Sequence, residues 1–124
     1  MNNFCQILYV SESTVDQVSA FARAVSLAER NHSALAVIDI LPPLSDGDKA
    51  AKALQHRRDT LDSLIEPYRP RLKISLEVRM GTVFLETIRA VLQNAHDLVI
   101  KAAESPGFLK RLFIWKVHPL KLNK

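Results

Sequence analysis

Two short apolar runs rich in β-formers, QILYV at 6–10 and ALAVIDIL at 34–41, carry almost no polar positions. Runs of this length and composition predict strands buried on both faces of a sheet. Between them Val15, Val18, Phe21, Ala22, Val25 and Ala28 recur at the spacing of one helix face. Ser13 followed by Asp16 resembles a capping box with Asp in the place of Glu. A strand, a helix and a strand within about 35 residues has the size of a βαβ crossover.

The polar loop from Pro42 to Asp48 leads into a second helical pattern, Ala51, Leu54, Arg58, Leu61 and Ile65, in which Arg58 is the polar position; Pro67 and Pro70 end it. LKISLEVRM at 72–80 alternates, with Leu72, Ile74, Leu76, Val78 and Met80 set against Lys73, Ser75, Glu77 and Arg79. Such alternation predicts a half-exposed edge strand. Gly81–Thr82 reads as a turn and N-cap, and Leu85, Ile88, Val91, Leu92 and Ala95 as the inward face of a third helix. DLVIKAA at 97–103 is the fourth strand. Strands alternating with helices imply an open parallel sheet with helices on both faces and right-handed crossovers, a Rossmann-like α/β class.

The last twenty residues leave this pattern. Ser105-Pro106-Gly107 is a turn, and Phe108, Leu109, Leu112 and Phe113, with Lys110 and Arg111 opposite, predict one or two amphipathic helical turns. The chain thus divides into an α/β domain over 1–104 and an atypical C-terminal tail over 105–124. Charge marks the same division. Of 17 Lys+Arg and 13 Asp+Glu, residues 1–100 hold 11 and 12, and residues 101–124 hold six and one, Glu104. The basic character belongs to the tail, which argues against a domain-wide nucleic-acid surface. Aromatic and basic residues interleave in FLKRLFIWK, a pattern suited to an anionic membrane or nucleic acid; a segment packed on the domain's own core is the preferred reading.

At 124 residues, 48% hydrophobic and 24% charged, the chain has the size and composition of one globular domain with a single core. No apolar run approaches the ~20 residues that span a bilayer, and MNNFCQILYV lacks a basic n-region and a cleavage site, so the expected location is cytoplasmic. Cys5 reads as a buried thiol of the first strand. His32, His56, His96 and His118 show no ligand spacing, and no metal is expected. There is no G-x-S-x-G and no Cys with a placed His, so no residue set names a reaction. Asp39 could face the switch-point crevice; closing the second strand or capping locally is the preferred reading.

ILYVSES, LAVIDIL, EVRMGTVFLETIRAVL and AHDLVIKAAE, in that order, resemble the universal stress protein family, most of all the first half of its tandem two-domain members. The resemblance covers roughly residues 4 to 113. It implies an adenine nucleotide alpha hydrolase-like fold with strand order 3-2-1-4-5 and, where a nucleotide binds, a site at the C-terminal ends of strands 1 and 4. Ligands of open α/β sheets bind at that switch point.

By this resemblance Glu12 stands where ATP-binding members have Asp, and Val37 matches an adenine-contacting position. Lys101, ending the fourth strand beside the switch point, is a candidate phosphate ligand, with a snorkelling strand-end lysine as the preferred reading. The family's phosphate motif is Gly, two residues, Gly, nine residues, then Gly-Ser or Gly-Thr; the matching positions here are Ala102, Ser105 and about Ile114–Trp115. Glycines let backbone N–H groups approach phosphates, and the final pair sets a helix N-terminus under the anion. Gly107 is out of register and reads as a turn glycine.

The resemblance therefore implies a degenerate nucleotide site at Glu12, Val37, Lys101, Ala102 and Ser105. Family members continue into a fourth helix and a fifth strand, of which this chain shows no recognisable version, so the expected order is 3-2-1-4 with the fifth strand missing or atypical. Without it, the fourth strand is an open edge unless the tail covers it. The expected function is non-enzymatic, in the stress response, through protein partners or a homodimer and without a cofactor. The alternative is an ATP-binding member with a non-standard phosphate loop.

Overall fold

The computed structural model describes residues 6–12, 18–94, 96, 98–104 and 110–116. Along the chain run β1 (Gln6–Glu12), α1 (Val18–Arg30), β2 (Ala34–Leu41), α2 (Gly47–Ile65), a 3-10 turn (Glu66–Tyr68), β3 (Ile74–Met80), α3 (Val83–Asn94), β4 (Leu98–Glu104) and β5 (Lys110–Lys116). They form one five-stranded sheet in the order β3-β2-β1-β4-β5. The pairs β1–β2, β1–β4 and β2–β3 are parallel, and β5 joins β4 antiparallel. The Rossmann-like order 3-2-1-4 expected from the sequence is the observed one, and the alternating strand is the sheet edge.

The two faces are covered unequally. On one, Ile7, Tyr9, Leu35 and Val37 of the central strands meet Phe21, Ala24, Val25 and Ala28 of α1 and Ile65 of α2. Leu61 of α2 extends this layer over Leu41 and Val78. Phe21 sits edge-on between Tyr9 and Tyr68, with ring centroids 5.6 and 5.5 Å apart. Such T-shaped pairs add about 0.5–1.5 kcal/mol each to burial. On the other face Leu8, Val10, Ile38, Ile40 and Val99 meet Ala90 of α3, with Val83 and Val91 partly buried beside it.

Local chemistry sets the helix ends. Asp46 caps α2, its carboxylate accepting from the backbone N–H of Asp48 and Lys49 at 2.9 and 3.2 Å, so the helix begins inside the stretch read as loop. α1 ends in a Schellman arrangement. Ser33 N donates to Ala28 O at 2.9 Å and His32 N to Glu29 O at 3.2 Å, with His32 at φ 54°. The capping box expected at Ser13–Asp16 lies outside the described residues.

Two expectations are corrected. The helical turns expected around Phe108–Phe113 are absent over 110–116, which form β5; Glu104 pairs with Lys110 and Leu98 with Lys116. KRLFIWK is rich in β-formers, and the open edge of β4 offers a hydrogen-bond ladder that an isolated helical turn lacks. The tail thus covers the edge that a missing fifth strand would expose. The second correction concerns α3. Glu86 and Ala90 are its buried residues, whereas Leu85, Ile88 and Leu92, expected to face inward, are exposed.

Glu86 explains that rotation. Its carboxylate accepts from Arg79 of β3 at 3.2 Å and Arg89 at 2.7 Å, and its side chain lies over Gly81. Gly81 has φ +154°, and a Cβ there would meet Glu86 Cγ and Oε2 at 2.8 Å. The approach of α3 to the end of β3 therefore requires glycine.

Two substitutions test these backbone assignments by urea unfolding. Gly81→Ala is expected to lower stability by about 2 kcal/mol, from conformational strain and the clash with Glu86. His32→Gly is expected to raise it by about 0.5–1 kcal/mol, because a side chain at positive φ is strained and glycine is not.

Candidate functional site

β1 has β2 on one side and β4 on the other, and the chain winds in opposite directions from it, so the switch point lies between β1 and β4. Glu12 closes β1 opposite Ile40. Lys101 lies on β4 opposite Val10, half-buried. These two positions are therefore on adjacent strands and about 7 Å apart along them. Val37 pairs with Tyr9, about 10 Å below the level of Glu12, and its side chain belongs to the core under α1 and α2.

Ala102 lies on β4 opposite Leu112, while Ile114 and Trp115 pair with Ile100 and Val99. The positions matching the end of the phosphate motif are thus inside an antiparallel strand. Ser105 lies outside the described residues. The register brings Glu12 and Lys101 together at one end of the sheet and leaves Val37 deeper in it.

A buried polar cluster beside that end was not legible as such in the sequence. Asp39 and Ser11, paired in register on β2 and β1, are both fully buried. Ser11 Oγ donates to Asp39 Oδ1 at 2.6 Å. Arg57 of α2 donates from Nε to Oδ2 at 2.8 Å and from Nη2 to Oδ1 at 3.2 Å, a two-pronged ion pair with a side chain 19% exposed. A carboxylate without water is costly unless its lone pairs are filled, and here three donors fill them. The sequence signal was Asp39 itself, a charge within an otherwise apolar strand that demands a partner. The helical pattern singled out Arg58, which is exposed; its neighbour Arg57 reaches inward.

With both carboxylate oxygens engaged, Asp39 is poorly placed to act as a general base, and the cluster instead ties the ends of β1 and β2 to α2. A second cluster ties β3 to α3. Arg79 donates to Glu77 at 2.7 Å, to Glu86 at 3.2 Å and to Gln93 at 3.2 Å. Hydrogen bonding to the Glu77 carboxylate, reinforced by Glu86, holds the Arg79 guanidinium above its ordinary pKa despite partial burial.

Under α3 a cleft of about 260 Å³ is lined by Gln6, Ser75, Glu77, Asn94 and His96 above an apolar floor that includes Leu8 and Ile38. It is smaller than the usual ~300–1,000 Å³ of ligand pockets and lies at the N-terminal ends of the strands, opposite the switch point. Among the described residues no group of three His, Cys, Asp or Glu is placed to hold a metal ion, and no helix is long and apolar enough to cross a membrane.

The ion pair gives an ordered expectation. Arg57→Met strands a fully buried carboxylate and is expected to cost about 3–5 kcal/mol in urea unfolding. Asp39→Asn is expected to cost less, because Arg57 is already partly hydrated and can turn to solvent.

Three comparisons bear on this arrangement. No curated protein matches the chain. Among solved structures it is similar to the universal stress protein UspA from Lactobacillus plantarum, with a TM-score of 0.70, 17% identity, and coverage of 88% of this chain and 86% of that one. It is also similar to a protein of the universal stress protein family from Burkholderia pseudomallei, with a TM-score of 0.68, 17% identity, and coverage of 82% and 83%. At such identity the two structures speak for the fold alone. The model of the universal stress protein family matches residues 4–117, from before β1 to just past β5, and on that match the chain belongs to the universal stress protein family.

Proposed function

We propose that this is a non-enzymatic, cytoplasmic universal stress protein domain with a degenerate nucleotide site, acting in the stress response through protein contacts. One observation carries the reading: β4 is followed by an antiparallel strand that occupies residues 110–116. A phosphate site of the family kind needs glycines after the fourth strand and a helix N-terminus to receive the anion. Here Ala102 is in β4, and Ile114 and Trp115 are held in the ladder with β4. Their backbone is shaped for a sheet, where dipoles alternate and no macrodipole forms.

A second reading rests on Glu12 and Lys101. Glu12 closes β1, and Lys101 stands mid-strand on the neighbouring β4, an acid and a base beside the switch point. In that reading a nucleotide is held by Glu12, Val37 and Lys101, with backbone amides near Ala102 and Ser105 in place of the glycine loop.

Isothermal titration with ATP and magnesium separates the two. The degenerate site predicts no saturable heat up to about 1 mM nucleotide, the concentration at which binding is worth only ~4 kcal/mol. A micromolar dissociation constant that Glu12→Ala and Lys101→Ala each weaken tenfold or more would establish the second reading instead.

A further inference from the structure

The face of β3 that looks toward α3 is polar. Ser75 and Glu77 stand in register with Ala36 and Ile38 of β2, whose side chains belong to the core layer under α3. Between these positions and the second half of α3 lies the cleft of about 260 Å³. Two small residues leave that space. Ala36 on the sheet and Ala90 on the helix both line it, and a leucine at either position would fill much of it. Gln6 and the buried His96 stand at the foot of the cleft, and Arg79, bound to both Glu77 and Gln93, bridges β3 and α3 at its other end.

The groups around the opening have a definite hydrogen-bonding sense. Asn94 Nδ2 donates to Ala90 O at 3.2 Å, which leaves its Oδ1 to accept. Glu77 accepts from Arg79 at 2.7 and 3.1 Å, one bond to each oxygen, so its charge is compensated while each oxygen keeps a lone pair. The Ser75 hydroxyl, exposed at the rim, supplies a donor. Beneath them the floor of Leu8, Ala36, Ile38 and Ala90 is apolar. Among the described residues no Lys or Arg lines the cleft, and Arg79 above it is committed to Glu77, Glu86 and Gln93.

We propose that this cleft binds a small, neutral aromatic amide, with the ring on the apolar floor and the amide at the rim, its N–H groups toward Asn94 Oδ1 and Glu77 and its carbonyl accepting from Ser75. The apolar floor selects a ring, and the mixture of acceptors and a donor beside it selects a group that carries both N–H and C=O. An anion meets the Glu77 carboxylate with no uncommitted cation to receive it, and a cation meets Arg79 behind Glu77, so a neutral ligand is preferred. A volume below the usual ~300–1,000 Å³ sets the size at about one ring. For a ligand of about ten non-hydrogen atoms at ordinary efficiency the dissociation constant is about 0.1–1 mM. The cleft lies at the N-terminal ends of the strands, so binding here is independent of whether the switch point at the opposite end holds a nucleotide.

Titration of the isotope-labelled full chain with benzamide to about 10 mM, followed by backbone amide shifts in NMR, tests it. Saturable shifts centred on Ser75, Glu77 and Asn94 are expected, half-complete at about 0.1–1 mM. Benzoate, the same shape with a carboxylate in place of the amide, is expected to bind at least ~10-fold more weakly. Ala36→Leu fills the floor and is expected to abolish saturation. Ser75→Val removes the rim hydroxyl from an exposed strand position that valine suits, and is expected to weaken binding about 3–10-fold; it decides the matter if Ala36→Leu does not fold. Shifts that stay linear to the highest concentration or scatter away from the cleft, benzoate binding as tightly as benzamide, or unchanged binding by either folded variant overturns the proposal.

Discussion

Every strand of a parallel sheet has two faces to bury, and the described residues include three α-helices for the task. α1 and α2 together cover one face, and α3 alone serves the other. The completed side holds the aromatic stack of Tyr9, Phe21 and Tyr68 and the most continuous core. The other side is filled around Ala90, with α3 steered toward the β3 edge by Arg79 and Glu86. Its apolar ridge is left in solvent as a consequence.

The same economy governs the sheet's far side. β4 needs a neighbour, and the chain supplies one in the antiparallel β5. A returning antiparallel strand satisfies the β4 edge within few residues, whereas a parallel one requires a crossover of a dozen or more. Ile114 and Trp115, the positions where the family's phosphate motif would end, pair with Ile100 and Val99 in that ladder.

The order of the elements and their parallel arrangement were legible because QILYV and ALAVIDIL are continuous apolar runs and LKISLEVRM alternates. Three things were not. α3 carries apolar residues on more than one face, so periodicity alone could not say which face a buried Glu86 would select. FLKRLF fits an amphipathic turn and KRLFIWK fits a strand, and the choice depends on a partner edge distant in sequence. Arg57 and Arg58 are indistinguishable until the helix is docked against Asp39. In each case a tertiary contact outweighed a local preference.

Residues 110–116 form a strand on β4, and the proposed loss of the nucleotide site depends on that pairing. Backbone resonance assignment of the protein by NMR, recorded with and without magnesium ATP, tests it most directly. Extended-strand shifts over Lys110–Lys116, cross-strand contacts between Ile100 and Ile114, and a spectrum unmoved by nucleotide are the expected result. Helical shifts in that segment, or nucleotide-induced changes centred on Glu12 and Lys101, would contradict it.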